Sequence, residues 1–218
     1  MEPVRALKLE RSQSLLDLCA APGGKSLALL SSVSDLGEVV LNDSSPTRVR
    51  RLKANLETQL PRAVFERLKF LSKPGGTLGG RFPQTFDRVL ADVPCSSERH
   101  LLEQPSQLEK FWNPKRSKRL AKEQLGLLRS GLAALKPGGR LVYSTCALLD
   151  EENDGVVGEA IARERKKGCV VAAVFDWEAR GRRTEFGFQW LPGEPEPSSN
   201  AGPIYTAVLV KDKTTNGR

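Results

Sequence analysis

Leu15-Leu16-Asp17-Leu18-Cys19-Ala20-Ala21-Pro22-Gly23-Gly24-Lys25-Ser26 is the stretch of this sequence from which the fold can be inferred. A short apolar run leads into a turn of small residues, and helix-forming residues follow over 27–30. This order predicts a β-strand, a tight loop and the first turn of a helix. Ligands of open α/β sheets bind outside the carboxyl ends of the strands, and glycines let the backbone approach them closely. The free amides at a helix start favour an electronegative group, so this loop is predicted to hold a ligand.

The motifs around this loop narrow the class of ligand. A phosphate-binding P-loop needs glycine five positions before Gly24, where Cys19 stands, and the dinucleotide fingerprint G-x-G-x-x-G is missing. A second predicted strand ends at Asp43, whose carboxylate can accept both hydroxyls of a ribose. These features favour an adenosine ligand without a pyrophosphate, and S-adenosylmethionine is the natural candidate. Taken alone, the two stretches also fit a structural turn with a capping aspartate.

Length and charge limit the class of protein. The 218 residues, 39% of them hydrophobic, are expected to form one domain (1–218) with a short lead-in over 1–14. That lead-in is too short and mixed for a convincing targeting peptide. The net charge of +8 indicates an anionic partner. Nucleic acid is favoured over a membrane, because no apolar stretch approaches the roughly 20 residues of a membrane span.

The four cysteines are far apart in the sequence and form no C-x-x-C pair. This spacing argues against a zinc or other metal site and against a disulfide framework. Reduced thiols indicate a reducing intracellular compartment.

The rest of the chain alternates apolar runs with helical patterns. Strands are predicted from Leu15 and over 38–41, 67–71, 86–95, 140–144, 170–175 and 204–210. Helices are predicted from Pro46 and over 115–135 and 151–165, and loops over 73–83, 96–114 and 193–202. The alternation predicts an α/β fold with a doubly wound, mostly parallel, seven-stranded sheet. The late strands lack an intervening helix, which allows an antiparallel edge.

Cys95 and Cys146 each follow a predicted central strand. If those strands flank the first one, both thiols face the ligand cleft. Two thiols beside a methyl donor suggest methylation at C5 of a pyrimidine, because a thiolate that adds at C6 activates C5. Asp92, protonated or sharing a proton, is placed to assist near N3. The alternative is that free cysteines are small buried hydrophobic residues, which we favour for Cys19 and Cys169.

Basic residues cluster at the start of the helix predicted over 115–135. They are Lys115, Arg116, Lys118, Arg119 and Lys122. A charge run of this kind is often only a solvated helix face. Beside a ligand cleft on a basic chain, binding of an RNA phosphate backbone is the favoured interpretation.

Together these motifs resemble the Nop/Sun (Fmu-type) family of RNA 5-methylcytosine methyltransferases. The matching stretches are Asp17–Lys25, Asn42-Asp43 with Arg48, Phe86–Ser96, Gln124, Leu135–Cys146 and Glu151-Glu152-Asn153. The resemblance implies a class I (Rossmann-like) methyltransferase fold with S-adenosylmethionine as the cofactor. It implies that Cys146 is the nucleophile, that Cys95 assists release and that Asp92 lies at the cytosine. The catalytic candidates are therefore Cys146, Cys95, Asp92 and Lys25. The cofactor-binding candidates are Cys19, Ala20, Ala21, Pro22, Gly23, Gly24, Lys25, Asp43, Arg48 and Asp92.

Two shorter stretches, Ser97-Glu98-Arg99-His100 and Gly202-Pro203-Ile204-Tyr205, look most like the mitochondrial branch of that family. The resemblance implies a ribosomal RNA or transfer RNA substrate, of which we favour ribosomal RNA. It also implies a mitochondrial location, the cytoplasm or another reducing compartment being the alternative. A ribosomal subunit or a protein that targets the enzyme is a further expected partner.

The sequence departs from the family pattern at two points. Pro74 stands where an acidic residue usually contacts the adenine, and proline offers no side-chain hydrogen bond. The family's N-terminal RNA-binding extension is also absent from this sequence. These departures keep open a second hypothesis, an RNA-binding or ribosome-assembly factor with weak or no catalysis. Methylation of DNA cytosine, with Cys95 as nucleophile, is a third, and a dehydrogenase is the least favoured.

Overall fold

A computed structural model describes residues 1–33, 35–96, 114–179, 181–191 and 202–213. The strands of this part of the chain are β1 Leu15–Asp17, β2 Val39–Asn42, β3 Leu68–Leu71, β4 Phe86–Asp92, β5 Leu135–Thr145, β6 Val171–Ala173, β7 Arg182–Arg183, β8 Gly187–Trp190 and β9 Ile204–Lys211. The helices are α1 Glu2–Leu7, α2 Gly24–Ser32, α3 Pro46–Gln59, α4 Arg62–Phe65, α5 Leu78–Arg81, α6 Pro114–Ala134 and α7 Asp154–Lys166. Short 3₁₀ turns cover Gly75–Thr77 and Asp150–Glu152.

The strands form one mixed sheet in the order β3-β2-β1-β4-β5-β9-β8-β7, and β6 also pairs with β9. The first five strands of this order are parallel, and β9 runs antiparallel to β5. The predicted α/β fold with a doubly wound, mostly parallel sheet is thus confirmed, including its antiparallel edge. All seven predicted strands are present. The described residues add the antiparallel pair β7 and β8, which lack the continuous apolar run that marks the other strands, so the sheet of the described residues has nine strands rather than the predicted seven.

Helices cover both faces of the sheet, because successive residues of each buried strand point to opposite sides. On one face Leu16, Val89 and Leu141 pack against α5, α6 and α7. On the other face their neighbours Leu15 and Leu90 pack against α1, α2 and α3. The sheet is therefore buried on both sides, as the unbroken apolar runs of its strands require.

Helix α3 begins where the sequence predicts it. Ser45 is its N-cap, and the Ser45 side chain accepts a hydrogen bond from the Arg48 backbone N–H. Pro46 occupies the first turn, where its missing N–H costs nothing. Val49, Leu52 and Leu56 form the buried stripe of the helix.

Helices also form in two segments for which the sequence predicts none. The predicted loop over 73–83 contains the first 3₁₀ turn and α5, which contact α6 closely. A Cβ on Gly79 would lie 2.5 Å from the Ser130 carbonyl oxygen. The Gly79 N–H donates to Ser130 Oγ (2.8 Å), and this hydroxyl donates to the Gly75 carbonyl (2.7 Å). Gly79, one of the glycines that suggested a loop, is thus required for close contact between α5 and α6. The lead-in over 1–14 contains α1, whose Ala6 and Leu7 are fully buried.

Apart from their ends, the predicted loops over 96–114 and 193–202 lie outside the described residues, as does the stretch Ser97–His100. None of the helices described is both long and apolar enough to cross a membrane. In the same part of the chain, no group of three or more His, Cys, Asp or Glu side chains is arranged to hold a metal ion.

Candidate active site

The loop after β1 is held in place by contacts with β2 and α3. The Ala20 N–H donates to the Asn42 carbonyl of β2 (2.7 Å). Gly23 is the N-cap of α2 and has φ 112°, a left-handed conformation that favours glycine. A Cβ there would also lie 2.9 Å from Leu52 Cδ1 of α3. The loop over 19–25 therefore lies against the end of β2 and against α3.

Asn42, a residue for which the sequence predicts no role of its own, ties three strand ends together. Its fully buried amide donates to the carbonyls of Leu18 (3.0 Å) and Lys73 (3.1 Å), and its Oδ1 accepts from the Lys73 N–H (3.1 Å). The loops after β1 and β3 are thereby fixed to the end of β2. The sequence feature that could have indicated this role is a polar residue at the end of an otherwise apolar strand.

Three carboxylates surround Cys19 at this edge of the sheet. Burial, followed by the charges of Asp17, Asp43 and Asp92, raises the pKa of the Cys19 thiol. A thiol held in its neutral form is a poor nucleophile, in agreement with the structural role favoured for Cys19. The same negative surroundings suit a ligand that carries a positive charge.

Asp43 closes one side of a cavity of about 220 Å³. Its side chain is buried, and Oδ2 lies 3.0 Å from Arg48 Nη1 but accepts no hydrogen bond. Arg48 also donates from Nη2 to the Ala21 carbonyl (2.7 Å), so it links Asp43 to the β1 loop. Pro74 and Gly75 line the opposite wall, and helix α6 contributes Lys122, Glu123, Gly126 and Leu127.

Nine of the ten predicted cofactor-binding residues divide into two groups in the structure, and the tenth, Asp92, is the last residue of β4. Cys19, Asp43 and Arg48 line the cavity. Ala20, Ala21, Pro22, Gly23, Gly24 and Lys25 continue along the β1 loop and the first turn of α2. Lys25 Nζ donates to Asp92 Oδ2 over 2.7 Å, and both side chains are partly exposed. Asp92 ends β4 and Lys25 lies in the first turn of α2, so this ion pair joins the two elements.

Cys95 and Cys146 come together just beyond the ends of β4 and β5, and the structure joins them in a disulfide with Cα atoms 6.1 Å apart. The sequence argues against a disulfide framework and did not predict this single pairing, whereas Cys19 and Cys169 are free thiols. The two strands are parallel neighbours with Asp92 opposite Ser144. Strand pairing thus brings together residues that are 51 positions apart in sequence. Both cysteines are partly exposed.

A buried network of polar side chains lies next to the two loops that carry the cysteines. It consists of Gln124 from α6, Tyr143 from β5, and Glu152 and Asn153, which precede α7. Gln124, Glu152 and Asn153 belong to the stretches that carry the family resemblance, but the sequence assigns them no task. Their burial follows from the contact between α6 and the turn over 150–152 and was not visible in the sequence.

The basic residues predicted to bind RNA occupy the first turns of α6. Lys115, Arg116, Lys118, Arg119 and Lys122 are all exposed, whereas Ser117 and Leu120 between them are buried. Lys122 lines the cavity, so this basic face adjoins the candidate site.

These features fit S-adenosylmethionine at the level of chemistry. Asp43 offers a buried oxygen without a hydrogen-bond donor, as a ribose hydroxyl requires. The carboxylates around Cys19 suit a sulfonium and an ammonium group. The cavity is smaller than the roughly 300–1,000 Å³ of sites that bind drug-sized ligands. Its volume therefore suits the nucleoside part of the cofactor, and the rest of the cofactor would lie along the β1 loop.

A doubly wound sheet with this loop and this acidic residue defines a class I (Rossmann-like) methyltransferase fold. The family model described as 16S rRNA methyltransferase RsmB/F matches residues 4–209, and the chain belongs to that family. The resemblance to the Nop/Sun family is thereby confirmed.

Named relatives and a solved structure are similar over nearly the whole chain. The mitochondrial tRNA (cytosine(34)-C(5))-methyltransferase of Mus musculus is 36% identical over 99% of this chain and 63% of its own length. The 5-cytosine rRNA methyltransferase NSUN4 of Xenopus laevis is 42% identical, covering 97% and 54% respectively. The crystal structure of NSun6 from Pyrococcus horikoshii with SFG is 25% identical, with a TM-score of 0.77, covering 96% of this chain and 50% of that one. The chain thus spans a little over half the length of these two curated relatives.

Proposed function

We propose that this chain is an S-adenosylmethionine-dependent RNA (cytosine-C5)-methyltransferase. The observation that carries the proposal is the meeting of Cys95 and Cys146 just beyond the ends of the neighbouring strands β4 and β5, the first of which ends at Asp92. The names of the mouse and frog relatives and the SFG ligand of the archaeal structure, an S-adenosylmethionine analogue, support it further.

The first half of the reaction activates the base. Because C5 of cytosine is a poor nucleophile, the Cys146 thiolate adds to C6, and the new C–S bond makes C5 enamine-like. The Lys25–Asp92 pair supplies a shared proton near N3 as electron density moves there. S-adenosylmethionine, when bound, supplies the methyl group that C5 takes.

The second half releases the methylated RNA. The Cys95 thiolate takes the proton from C5, the electron pair of that C–H bond restores the C5–C6 double bond, and the sulfur of Cys146 leaves as thiolate. Both cysteines must be reduced for this chemistry, because a disulfide sulfur is not a nucleophilic thiolate.

Ribosomal RNA is the proposed substrate, with transfer RNA as the alternative. The Xenopus relative is named as an rRNA methyltransferase, as is a Vibrio vulnificus relative that is 36% identical over 86% of this chain. The exposed basic residues of α6 are proposed to contact the phosphate backbone. We also propose a mitochondrial location, which the name of the mouse relative supports. A ribosomal subunit or a protein that targets the enzyme is the proposed partner.

Transfer of tritiated methyl groups to RNA under reducing conditions tests the function. Wild type is expected to label ribosomal RNA, and Cys146→Ala is expected to reduce the label to background. Cys169→Ala is the matched control, because this free cysteine lies far from the ends of β4 and β5 and its removal should leave labelling intact. Methylation that survives Cys146→Ala would contradict the role of this thiol.

A second candidate is an RNA-binding or ribosome-assembly factor with weak or no catalysis. Pro74 favours it, because this residue lines the cavity and its side chain cannot bond to an adenine. One missing hydrogen bond costs only about 1 kcal/mol, which weakens cofactor binding about fivefold. Isothermal titration separates the candidates: no heat with millimolar S-adenosylmethionine, while RNA binding is intact, would support the second one.

A further inference from the structure

Glu152 and Asn153 are consecutive residues that bond to two different cysteine-bearing loops. Glu152 is fully buried, and its Oε2 accepts from the Ser96 N–H (3.0 Å) and from Gln124 Nε2 (2.8 Å). Gln124 Nε2 also donates to the Pro94 carbonyl (2.9 Å). The residues on both sides of Cys95 are thus held by one carboxylate and the amide that it binds.

Asn153 does the same for the other cysteine. Its Oδ1 accepts from Thr145 Oγ1 (2.6 Å), and its Nδ2 donates to the Ala147 carbonyl (3.1 Å). The Ala147 N–H in turn donates to Thr145 Oγ1 (3.2 Å). The residues on both sides of Cys146 are therefore fixed by a single side chain that is itself almost fully buried.

The turn that carries both residues is anchored independently. Tyr143 in β5 donates its hydroxyl to the Glu152 carbonyl (2.6 Å). Glu152 Oε1 is buried and accepts no hydrogen bond within the described residues. A buried carboxylate with an unsatisfied oxygen is a poor choice for stability alone, because apolar residues would fill the space at lower cost.

We propose that Glu152 and Asn153 are positioning residues with separate tasks. Glu152 positions Cys95 for release of the methylated RNA, and Asn153 positions Cys146 for addition to C6. This inference rests on the proposed function, because it assigns each contact to one half of that reaction.

The covalent protein–RNA complex distinguishes the two tasks, because it forms in the first half and disappears in the second. With RNA and S-adenosylmethionine under reducing conditions, Glu152→Ala is expected to accumulate the complex and to turn over about 10- to 100-fold more slowly than wild type. Asn153→Ala is expected to reduce turnover to a similar extent without accumulating the complex. Glu152→Gln should restore release, because the amide oxygen can accept both hydrogen bonds of Oε2.

Two further variants separate the possible outcomes. Ser14→Ala removes a buried hydroxyl that bonds to Asp87 at the opposite edge of the sheet, and it should change neither turnover nor the complex. Cys95→Ala should accumulate the complex, and its failure to do so would reject the proposed function itself. If Cys95→Ala accumulates the complex and Glu152→Ala does not, the positioning role of Glu152 is rejected. Accumulation in Asn153→Ala would reject the task given to Asn153.

Discussion

Asp17 is a carboxylic acid buried at the end of β1. Burial raises its pKa to about 7, although hydrogen bonds from Ser26 Oγ and the Cys19 N–H act in the opposite direction. The folded protein therefore keeps a proton on Asp17 at pH values where the unfolded chain has released it. The stability from this proton is fully present below about pH 4 and disappears as the pH rises through 7.

Asp17→Asn should remove this pH dependence, because the amide keeps a similar shape and does not titrate. Between pH 4 and 7 the free energy of unfolding of wild type should fall relative to that of the variant, by at most about 1.4 kcal/mol per pH unit. Urea denaturation of both proteins at several pH values measures the difference. A difference that does not change with pH would mean that Asp17 is ionised throughout.

At the scale of residues, the sequence was sufficient to predict that Cys95 and Cys146 lie close together. It was not sufficient to predict the contacts that hold them in place. Cys95 and Cys146 could be predicted to converge because each follows a strand of a parallel sheet. Their disulfide and the contacts of Glu152 and Asn153 could not be predicted, since these depend on the register of β4 with β5 and on the turn after β5.

Helix α6 is the element that links the sheet, the cavity and the polar network. At Gly131 the helix lies close to the sheet, and a Cβ there would lie 2.7 Å from Leu141 Cδ1 of β5 and 3.2 Å from both Val89 of β4 and Leu18, which follows β1. The absence of a side chain at this position therefore sets how closely the helix can pack against the sheet.

Gly131→Ala is expected to destabilise the protein by about 1–3 kcal/mol, because the added methyl group overpacks a dense interface. Gly80→Ala is the matched control, since a Cβ on Gly80 meets no atom within 4 Å. That control should change the free energy of unfolding by about 0.5 kcal/mol or less. Thermal and chemical denaturation of both variants gives the comparison, and equal effects would contradict the packing account.

The long elements were predictable because their hydrophobic periods are strong. Helix α6 lies within one residue of its predicted range, and the central strands are continuous apolar runs. The helices α1, α4 and α5 were missed because four to six residues are too few to show a helical period, and β7 and β8 were missed because they lack a continuous apolar run. Contacts with the rest of the molecule, such as that of Gly79 with Ser130, stabilise them instead.

At the scale of the whole molecule, the chain carries a net charge of +8, and part of its basic surface lies at the carboxyl edge of the sheet. The first turns of α6 present exposed Lys118 and Arg119 there, beside the cavity.

The order of strands and helices sufficed to predict the fold class. The choice among RNA molecules depends on surface shape that no short motif encodes.

Replacing Lys118 and Arg119 by Gln should weaken RNA binding and flatten its salt dependence. For single-stranded RNA the slope of log affinity against log salt should become shallower by about 0.7 for each phosphate that the protein no longer neutralises. The double variant Arg165→Gln with Lys166→Gln removes the same charge at the far end of α7 and should have little effect. Fluorescence anisotropy over a salt series tests this, and equal weakening in both variants would indicate only a nonspecific charge effect.

The identity of the cysteine that bonds to the base tests the central claim most directly. RNA with 5-fluorocytidine at the target position should trap the complex under reducing conditions with S-adenosylmethionine, because fluorine cannot leave C5 as a proton does. Proteolysis and mass spectrometry then locate the attached nucleotide. The account predicts attachment to Cys146; attachment to Cys95, or no covalent complex, would contradict it.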